Sequence, residues 1–352
     1  MSTPREIINA LRRGVPPEYD LGLFSVGREE TTGKFVADLE TVRGGSSLIR
    51  YLDADFGQGK THLLKSLREE GFRNDFVVAI VELSTGACPL FSMVEVYRQV
   101  ITSLRTAESP REPALESVLD RWLDLQEEAT PAQRVETLRK LPMLLQASLL
   151  AFLQATSGSA ASLQNREMVV RYLTGEKFGR VERARLELFE NVTDATALVV
   201  LESIAAFVRD LGYGGLCILF DEAEGIVSFT RSSQQEAAVG NLIRMLRMTA
   251  RAEGCYFIYA ATPSFFDAYG DREDLQSPNS DGTALKLERL SAPAIAELVD
   301  RIVSLYAAAY SVEVPLALVD TIKKATREDY GRVSDLTRIT VAALDEHRNG
   351  GV

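Results

Sequence analysis

The chain has 352 residues, of which 46% are hydrophobic and 25% charged, with a formal net charge of −11. This is the make-up of a globular chain of two or three domains, or of one domain with insertions, and its acidity argues against a uniformly basic nucleic-acid binder while leaving room for a local basic patch. The start carries no signal-peptide pattern, the apolar stretch 141–155 is too short and too broken by Pro142, Gln146, Ser148 and Gln154 to span a bilayer, and the odd, widely spaced Cys88, Cys217 and Cys255 point to a reducing compartment, so a cytoplasmic chain with no membrane contact is expected.

In chain order, Pro4 to Arg13 places Ile7, Ile8 and Leu11 at helical spacing with Arg5, Arg12 and Arg13 on other faces, and Gly14 with Pro16-Pro17 stops it. Phe24-Ser-Val-Gly-Arg-Glu-Glu30 then leads into a second helix, Thr31 to Val42, striped by Phe35, Leu39 and Val42. Glu29 and Glu30 suit the positive end of its dipole.

The apolar run Leu48 to Leu52 reads as a buried strand, Asp53 to Gly59 as a tight glycine-bearing loop, and Thr61 to about Glu70 as a helix. Strand, loop and helix in that order are the context of a phosphate-binding P-loop. The loop and helix start, Asp55, Phe56, Gly57, Gln58, Gly59, Lys60, Thr61 and His62, form the predicted nucleotide-binding run. Backbone N–H groups of the loop would converge on phosphate oxygens, with the helix N-terminus adding its dipole. Gly57 and Gly59 allow close approach, Lys60 would pair with the β- and γ-phosphates, and the Thr61 hydroxyl would ligate Mg2+. The pattern G-x-x-x-x-G-K-[ST] calls for glycine at position 54, where Ala54 stands.

Phe76 to Leu83 is rich in β-branched residues and reads as a second buried strand. A long, almost entirely helical stretch follows, with patterns over Met93 to Leu104, Pro131 to Ala155 and Val181 to Arg209, interrupted at Pro110, Pro113, the 157–162 run and Gly175. Within it Lys177, Arg180, Arg183 and Arg185 form the densest basic cluster, which either tracks phosphates or is a solvated face balanced by Glu176, Glu182 and Glu187.

Leu216-Cys-Ile-Leu-Phe-Asp-Glu-Ala-Glu224 is a buried strand ending in acids, a Walker B element. Asp221 would hold the Mg2+ shell and Glu222 would orient or deprotonate the attacking water, with Glu224 next in line; the alternative is a strand ending in a solvated acidic turn. Cys255 to Ala261 is another buried strand, exiting through Thr262-Pro263. Leu285 to Leu290 alternates as a fifth strand, and helices are predicted over Ala294 to Tyr310, Pro315 to Thr326 and Ser334 to Arg348.

The Val26-Gly-Arg-Glu29 turn, the P-loop, Asp221-Glu222, Thr262 and the helical tail, in that order, resemble an AAA+ ATPase of the origin-recognition-like branch. Ile7 to Pro17, Asp55 to His62, Gly212 to Leu216 joined to Asp221-Glu-Ala-Glu224, and Ala261-Thr-Pro263 resemble more narrowly the ATP-binding proteins of BREX (bacteriophage exclusion) loci. The resemblance implies an α/β fold, a P-loop AAA+ three-layer parallel sheet core with a large helical insertion and a C-terminal helical lid. On this basis residues 1–84 hold the N-terminal helix and the first part of the core, 85–214 the insertion, 215–292 the second part of the core with Walker B and sensor 1, and 293–352 the lid.

It further implies an adenine-side box at Val26, Gly27 and Arg28, a γ-phosphate contact from Thr262, and a sensor arginine in the lid. Arg332 and Arg338 both lie near the start of the last helix, and Arg338 is taken as the sensor, although the Gly-x-x-Arg spacing from Gly331 lands on Ser334. Arg272, ahead of Arg289, is the arginine that would complete a neighbouring subunit's site, unless it is simply a surface arginine paired with an adjacent acid. ATP and Mg2+ are the implied ligands. The implied partners are other copies of the chain or a hetero-complex with defence proteins such as a helicase, with DNA as a further candidate. Two functions fit: an ATPase coupled to DNA or to a DNA-processing partner in phage defence, or a slow-turnover ATP-dependent switch or scaffold that assembles a defence complex. A P-loop phosphotransferase fits poorly, because no acceptor-binding motif is present.

Overall fold

The computed structural model describes residues 2–55, 57–86, 88–155, 160–226, 229–275, 284–328 and 331–350. The apolar runs become strands β1 (Leu48–Asp53), β2 (Val77–Glu82), β3 (Leu216–Asp221), β4 (Cys255–Ala261) and β5 (Leu285–Lys286), in sheet order β2-β3-β4-β1-β5. The pairings β2 with β3, β3 with β4 and β1 with β5 are parallel. Every residue of β3 and β4 is buried, which is why both read as unbroken apolar runs rather than alternating ones.

The helices, in order, are α1 (Pro4–Arg12), α2 (Glu29–Arg43), α3 (Lys60–Arg73), α4 (Met93–Ser103), α5 (Leu115–Glu128), α6 (Pro131–Arg139), α7 (Met143–Gln154), α8 (Ala160–Leu173), α9 (Arg180–Arg185), α10 (Ala197–Asp210), α11 (Ser232–Thr249), α12 (Pro263–Tyr269), α13 (Ala292–Tyr310), α14 (Leu316–Glu328) and α15 (Val333–Gly350). Among the described residues no helix is long and apolar enough to cross a membrane. The predicted stretch between β2 and β3 is helical, as α4 to α10, but two of its long patterns are split. Pro142, as N-cap of α7, separates it from α6, because proline cannot continue a helix and restricts the residue before it. The chain also leaves helix after Arg185: Glu187 takes a left-handed φ of 57°, and Asn191 closes the loop by accepting from the Phe178 N–H (3.0 Å) and donating to the Phe178 carbonyl (3.1 Å).

The fifth strand is also shorter than its alternation suggests. Leu285 and Lys286 pair with Leu52 and Asp53, the last residues of β1. After the Leu287 N–H reaches the Asp53 carbonyl at 2.9 Å, β1 has ended and the edge strand has no ladder left to extend.

The chain forms two compact units. The first comprises Met1–Val36, Leu52–Glu70 and Ala284–Val352. Its core joins Ile7, Ile8 and Leu11 of α1 to Leu298, Val299 and Ile302 of α13, Ile322 of α14, and Leu336 and Val341 of α15. The N-terminal helix therefore shares its core with the C-terminal helices. Thr3 caps α1 in a reciprocal capping box with Glu6, with Pro4 in the first turn. Ile7 and Ile8 are wholly buried, each contributing roughly 1.5–3 kcal/mol of apolar transfer.

The second unit comprises Ala37–Tyr51 and Gly71–Thr283. Its core runs from β2, β3 and β4 through Val96, Tyr97 and Val100 of α4 to Trp122 of α5, Phe152 of α7 and Phe207 of α10.

Candidate nucleotide site

The P-loop lies in the first unit. Gly57 and Gly59 have φ of +81° and +95°, the left-handed region that glycine enters without penalty. Ala54 is buried and is not among the residues with positive φ, so the missing glycine of the pattern is not needed for the backbone turn. Lys60 is the first residue of α3 and only 5% exposed. Asp55 is exposed and Gln58 buried, and the Gln58 N–H reaches the Asp55 carbonyl at 3.3 Å. Phe56 lies outside the described residues.

Three side chains brace this loop and the helix start. His62 Nε2 lies 2.6 Å from the Ser25 hydroxyl, and its ring is 4.9 Å from that of Phe24. Burial, reinforced by the charges of Arg28 and Lys65, pushes the His62 imidazole down to about 4, so it adds no positive charge at neutral pH. Arg28 donates to the Gln58 carbonyl (3.2 Å) and to the Glu288 carbonyl (2.7 Å). The Val-Gly-Arg-Glu turn thus touches the P-loop through Arg28, whereas Val26 is buried in the helical core. Gly27 has φ +64°, and a Cβ there would lie 3.2 Å from Cβ of Ala294.

The third brace comes from the start of α15. The Val333 N–H donates to the Gly57 carbonyl at 3.0 Å, and a Cβ on Gly57 would meet Cγ of Arg332 at 2.6 Å. The stem of Arg332 therefore lies on the glycine of the P-loop. Arg338 lies elsewhere in the same unit: a Cβ on Gly14 would meet its Cδ at 2.9 Å, and its guanidinium is 3.5 Å from Asp335. No spacing rule in the sequence distinguishes the two arginines; the contact of Arg332 is long-range.

The acidic motif lies in the second unit. Asp221 ends β3 and is buried, and its Oδ1 accepts the Glu222 N–H at 2.9 Å. Glu222 is left-handed, with φ 54°, at a position where an L-residue pays for its Cβ. The next turn is held by the Tyr259 hydroxyl on the Ala223 carbonyl (2.8 Å) and the Gly225 N–H on the Glu222 carbonyl (3.0 Å). Thr262 follows β4 as the N-cap residue of α12, partly exposed, its hydroxyl 2.8 Å from that of Ser264. Arg272 is engaged by both oxygens of Asp274, at 2.9 and 2.6 Å; this partner stands two residues on, not next to it.

The residues suit a nucleotide with Mg2+. Two left-handed glycines present backbone without side chains, α3 offers its N-terminus, and Lys60 supplies the cation. In the first unit Thr61, partly exposed at the start of α3, carries a hard oxygen donor suited to Mg2+, and in the second unit the Asp221 carboxylate at the end of β3 is a donor of the same kind.

No curated protein matches this sequence. Several solved structures are similar at the level of the chain trace. A Walker-type ATPase of Pyrococcus abyssi aligns with TM-score 0.44 and 15% identity over 93% of this chain and 69% of its own. The ORC2 protein of Aeropyrum pernix, in ADPNP–ADP complexes, aligns at 0.49 and 13% over 96% and 65%. The ORC1 protein of the same organism, in complex with DNA, aligns at 0.43 and 13% over 96% and 64%. This chain thus spans about two thirds of the length of those structures. The family model for the BREX system ATP-binding protein BrxC/D matches residues 2–342. The resemblance carried by the sequence motifs holds across the chain, which belongs to the BREX system ATP-binding protein BrxC/D family.

Proposed function

We propose that this chain binds ATP with Mg2+ and hydrolyses it, coupling turnover to DNA or to a DNA-processing partner in phage defence. The observation that carries the nucleotide reading is the loop of left-handed Gly57 and Gly59 running directly into Lys60 at the start of α3. Loop N–H groups and the Lys60 ammonium would hold the β- and γ-phosphates. Thr61 would be a ligand of Mg2+, which when bound neutralises phosphate charge, and Asp221 carries the acid that the Walker B pattern calls for. Glu222 would orient the attacking water and accept its proton, and Thr262 would position the γ-phosphate side of the reaction. Arg332, whose stem already lies on Gly57, takes the sensor role in preference to Arg338. In that role it would link loop occupancy to α15.

The slow-turnover switch is the second reading. It is favoured by one observation: in the single chain Arg272 Nε and Nη2 both donate to Asp274, so turnover would stay slow until a partner draws this weak surface pair apart or supplies an arginine of its own. The test is ATP binding and turnover of wild type and Lys60→Ala, with and without single- and double-stranded DNA. Lys60→Ala should stay folded and lose ATP binding, because it removes the charge partner of the phosphates. Wild-type affinity in a folded Lys60→Ala protein would refute the P-loop assignment. Turnover raised by DNA supports the coupled enzyme, and tight binding with negligible turnover under all conditions supports the switch.

A further inference from the structure

Tyr310, the last residue of α13, stands among three guanidinium groups. Arg348 lies over its ring at 4.0 Å, Arg5 at 5.8 Å and Arg12 at 6.0 Å. They border an open cavity of about 510 Å³ within the first unit, with Asn9, Ser311 and Asn349 also on its wall. One carboxylate, Asp345, faces the same space, and its capacity is largely taken. Arg12 reaches it through Nε (2.7 Å) and Nη2 (3.0 Å), and the Tyr306 hydroxyl donates to it at 2.7 Å. Arg12 is thereby a structural arginine, also donating to the Tyr310 hydroxyl at 2.9 Å.

Two guanidinium groups, those of Arg5 and Arg348, have no hydrogen-bonded carboxylate among the described residues, although Arg348 also reaches the Tyr310 hydroxyl. Arg348 is 3.9 Å from Asp345, beyond hydrogen-bond distance. Arg5 is exposed and lies over the Tyr310 ring. Three cations against one anion leave this cavity with a local charge of about +2, in a chain whose net charge is −11. Like charges held this close repel, so the arrangement favours the arrival of an anion. Burial works against ionisation of Tyr310, but the hydrogen bonds and charges of Arg12 and Arg348 draw its hydroxyl below the usual range, as expected where positive potential converges.

We propose that this cavity binds a phosphate ester of a nucleoside, presented by a nucleic-acid strand or by a free nucleotide. Guanidinium forks match the paired oxygens of phosphate. The planes of Arg5 and Arg348 offer stacking surface to an unpaired base, and its edge can meet both groups of the Asn349 amide and the Nδ2 donor of Asn9, whose Oδ1 already accepts from Arg12. An acidic protein segment is the less suitable occupant. Stable protein docking needs buried apolar anchors, and apart from the Tyr310 ring, already faced by cations, Ala309 is the apolar residue on this wall.

The test uses the full chain with Mg2+ and saturating non-hydrolysable ATP, so that the P-loop is filled. A short fluorescein-labelled single strand is titrated against wild type, Arg5→Ala/Arg348→Ala and Arg5→Lys/Arg348→Lys. Wild type should bind, and the alanine pair should lose about tenfold or more in affinity and flatten the log K against log salt slope by about 1.4, the value for two phosphate contacts on a single strand. The lysine pair should keep most of the salt slope yet bind more weakly, since charge remains and the fork is lost. Unchanged melting temperature and unchanged ATP binding at the P-loop show that the variants are folded. Displacement of the strand by AMP indicates a free-nucleotide source, and its persistence indicates a strand; both support the site. Absence of binding to strand and AMP alike, equal binding by the alanine pair, or competition by polyglutamate as effective as by unlabelled strand would overturn it.

Discussion

His62 follows directly on Lys60-Thr61, and its neutrality is a property of the fold rather than of the residue. An exposed histidine titrates near 6.5, whereas this one is pushed down to about 4 by burial and by the charges of Arg28 and Lys65. The folded state therefore binds fewer protons than the unfolded chain between those values. The stability involved is fully present above about pH 6.5 and is lost as pH falls toward about 4, to a total on the order of 3 kcal/mol. Between pH 7 and pH 5 urea unfolding of wild type should lose about 2 kcal/mol more than that of His62→Gln, which cannot titrate. Equal losses would place His62 in contact with water. Glu222 makes the opposite kind of statement, that of a side chain held in an unfavourable backbone conformation at φ 54°. A left-handed L-residue costs roughly 1–2 kcal/mol, and such strain gathers at functional positions. Glu222→Gly should raise stability by about 1 kcal/mol and lower ATP turnover at least about a hundredfold. Glu222→Gln should lose turnover similarly with no gain in stability. A Glu222→Gly protein that is both active and more stable would remove Glu222 from the chemistry.

At the scale of elements, strands and motifs were legible because their signals are local. Uninterrupted apolar runs such as Leu216 to Phe220 mark buried parallel strands, and a glycine pair before Lys-Thr marks a phosphate loop. Contacts between distant segments left no such mark. Nothing local shows that Arg332 rather than Arg338 reaches the P-loop, that α1 packs with α13 and α15, or that β5 ends once β1 is exhausted. The tie among α2, β1 and β4 is equally hidden: Asp38 accepts from Arg50 Nη2 at 2.8 Å, from Arg50 Nε, and from the Tyr256 hydroxyl at 2.6 Å. Asp38 is buried, and the Arg50 side chain is 14% exposed. Removing one partner of a buried ion pair leaves a charge uncompensated, so Arg50→Met should cost about 3–5 kcal/mol. Replacing all three, as Asp38→Leu/Arg50→Met/Tyr256→Phe, should recover much of that loss, because no polar group is then left unpaired. Denaturant midpoints measure both. An Arg50→Met protein as stable as wild type would mean that water, not Arg50, solvates Asp38.

For the whole molecule, the ATPase reading proposed above makes turnover depend on a neighbouring chain. An arginine donated by a neighbouring subunit can be worth about a thousandfold or more in rate, because it meets charge that develops only in the transition state. Arg272 is the candidate, and in the single chain its fork is held by Asp274. An exposed pair of this kind is worth less than about 1 kcal/mol, so it would yield readily to a phosphate oxygen in an assembled neighbour. Asp274→Ala should therefore leave stability nearly unchanged and, if Arg272 acts across an interface, maintain or raise turnover in assembled protein. Arg272→Ala and Lys60→Ala should each be inactive alone, the first for want of the arginine and the second for want of nucleotide. Mixed, they should recover activity, since Arg272 of the Lys60→Ala subunit can face the intact P-loop of its neighbour. The readouts are ATPase rate and mass by light scattering across mixing ratios. A mixture that co-assembles and stays inactive would exclude Arg272 as a trans residue. Full activity of Arg272→Ala alone would leave it a surface arginine whose partner is Asp274.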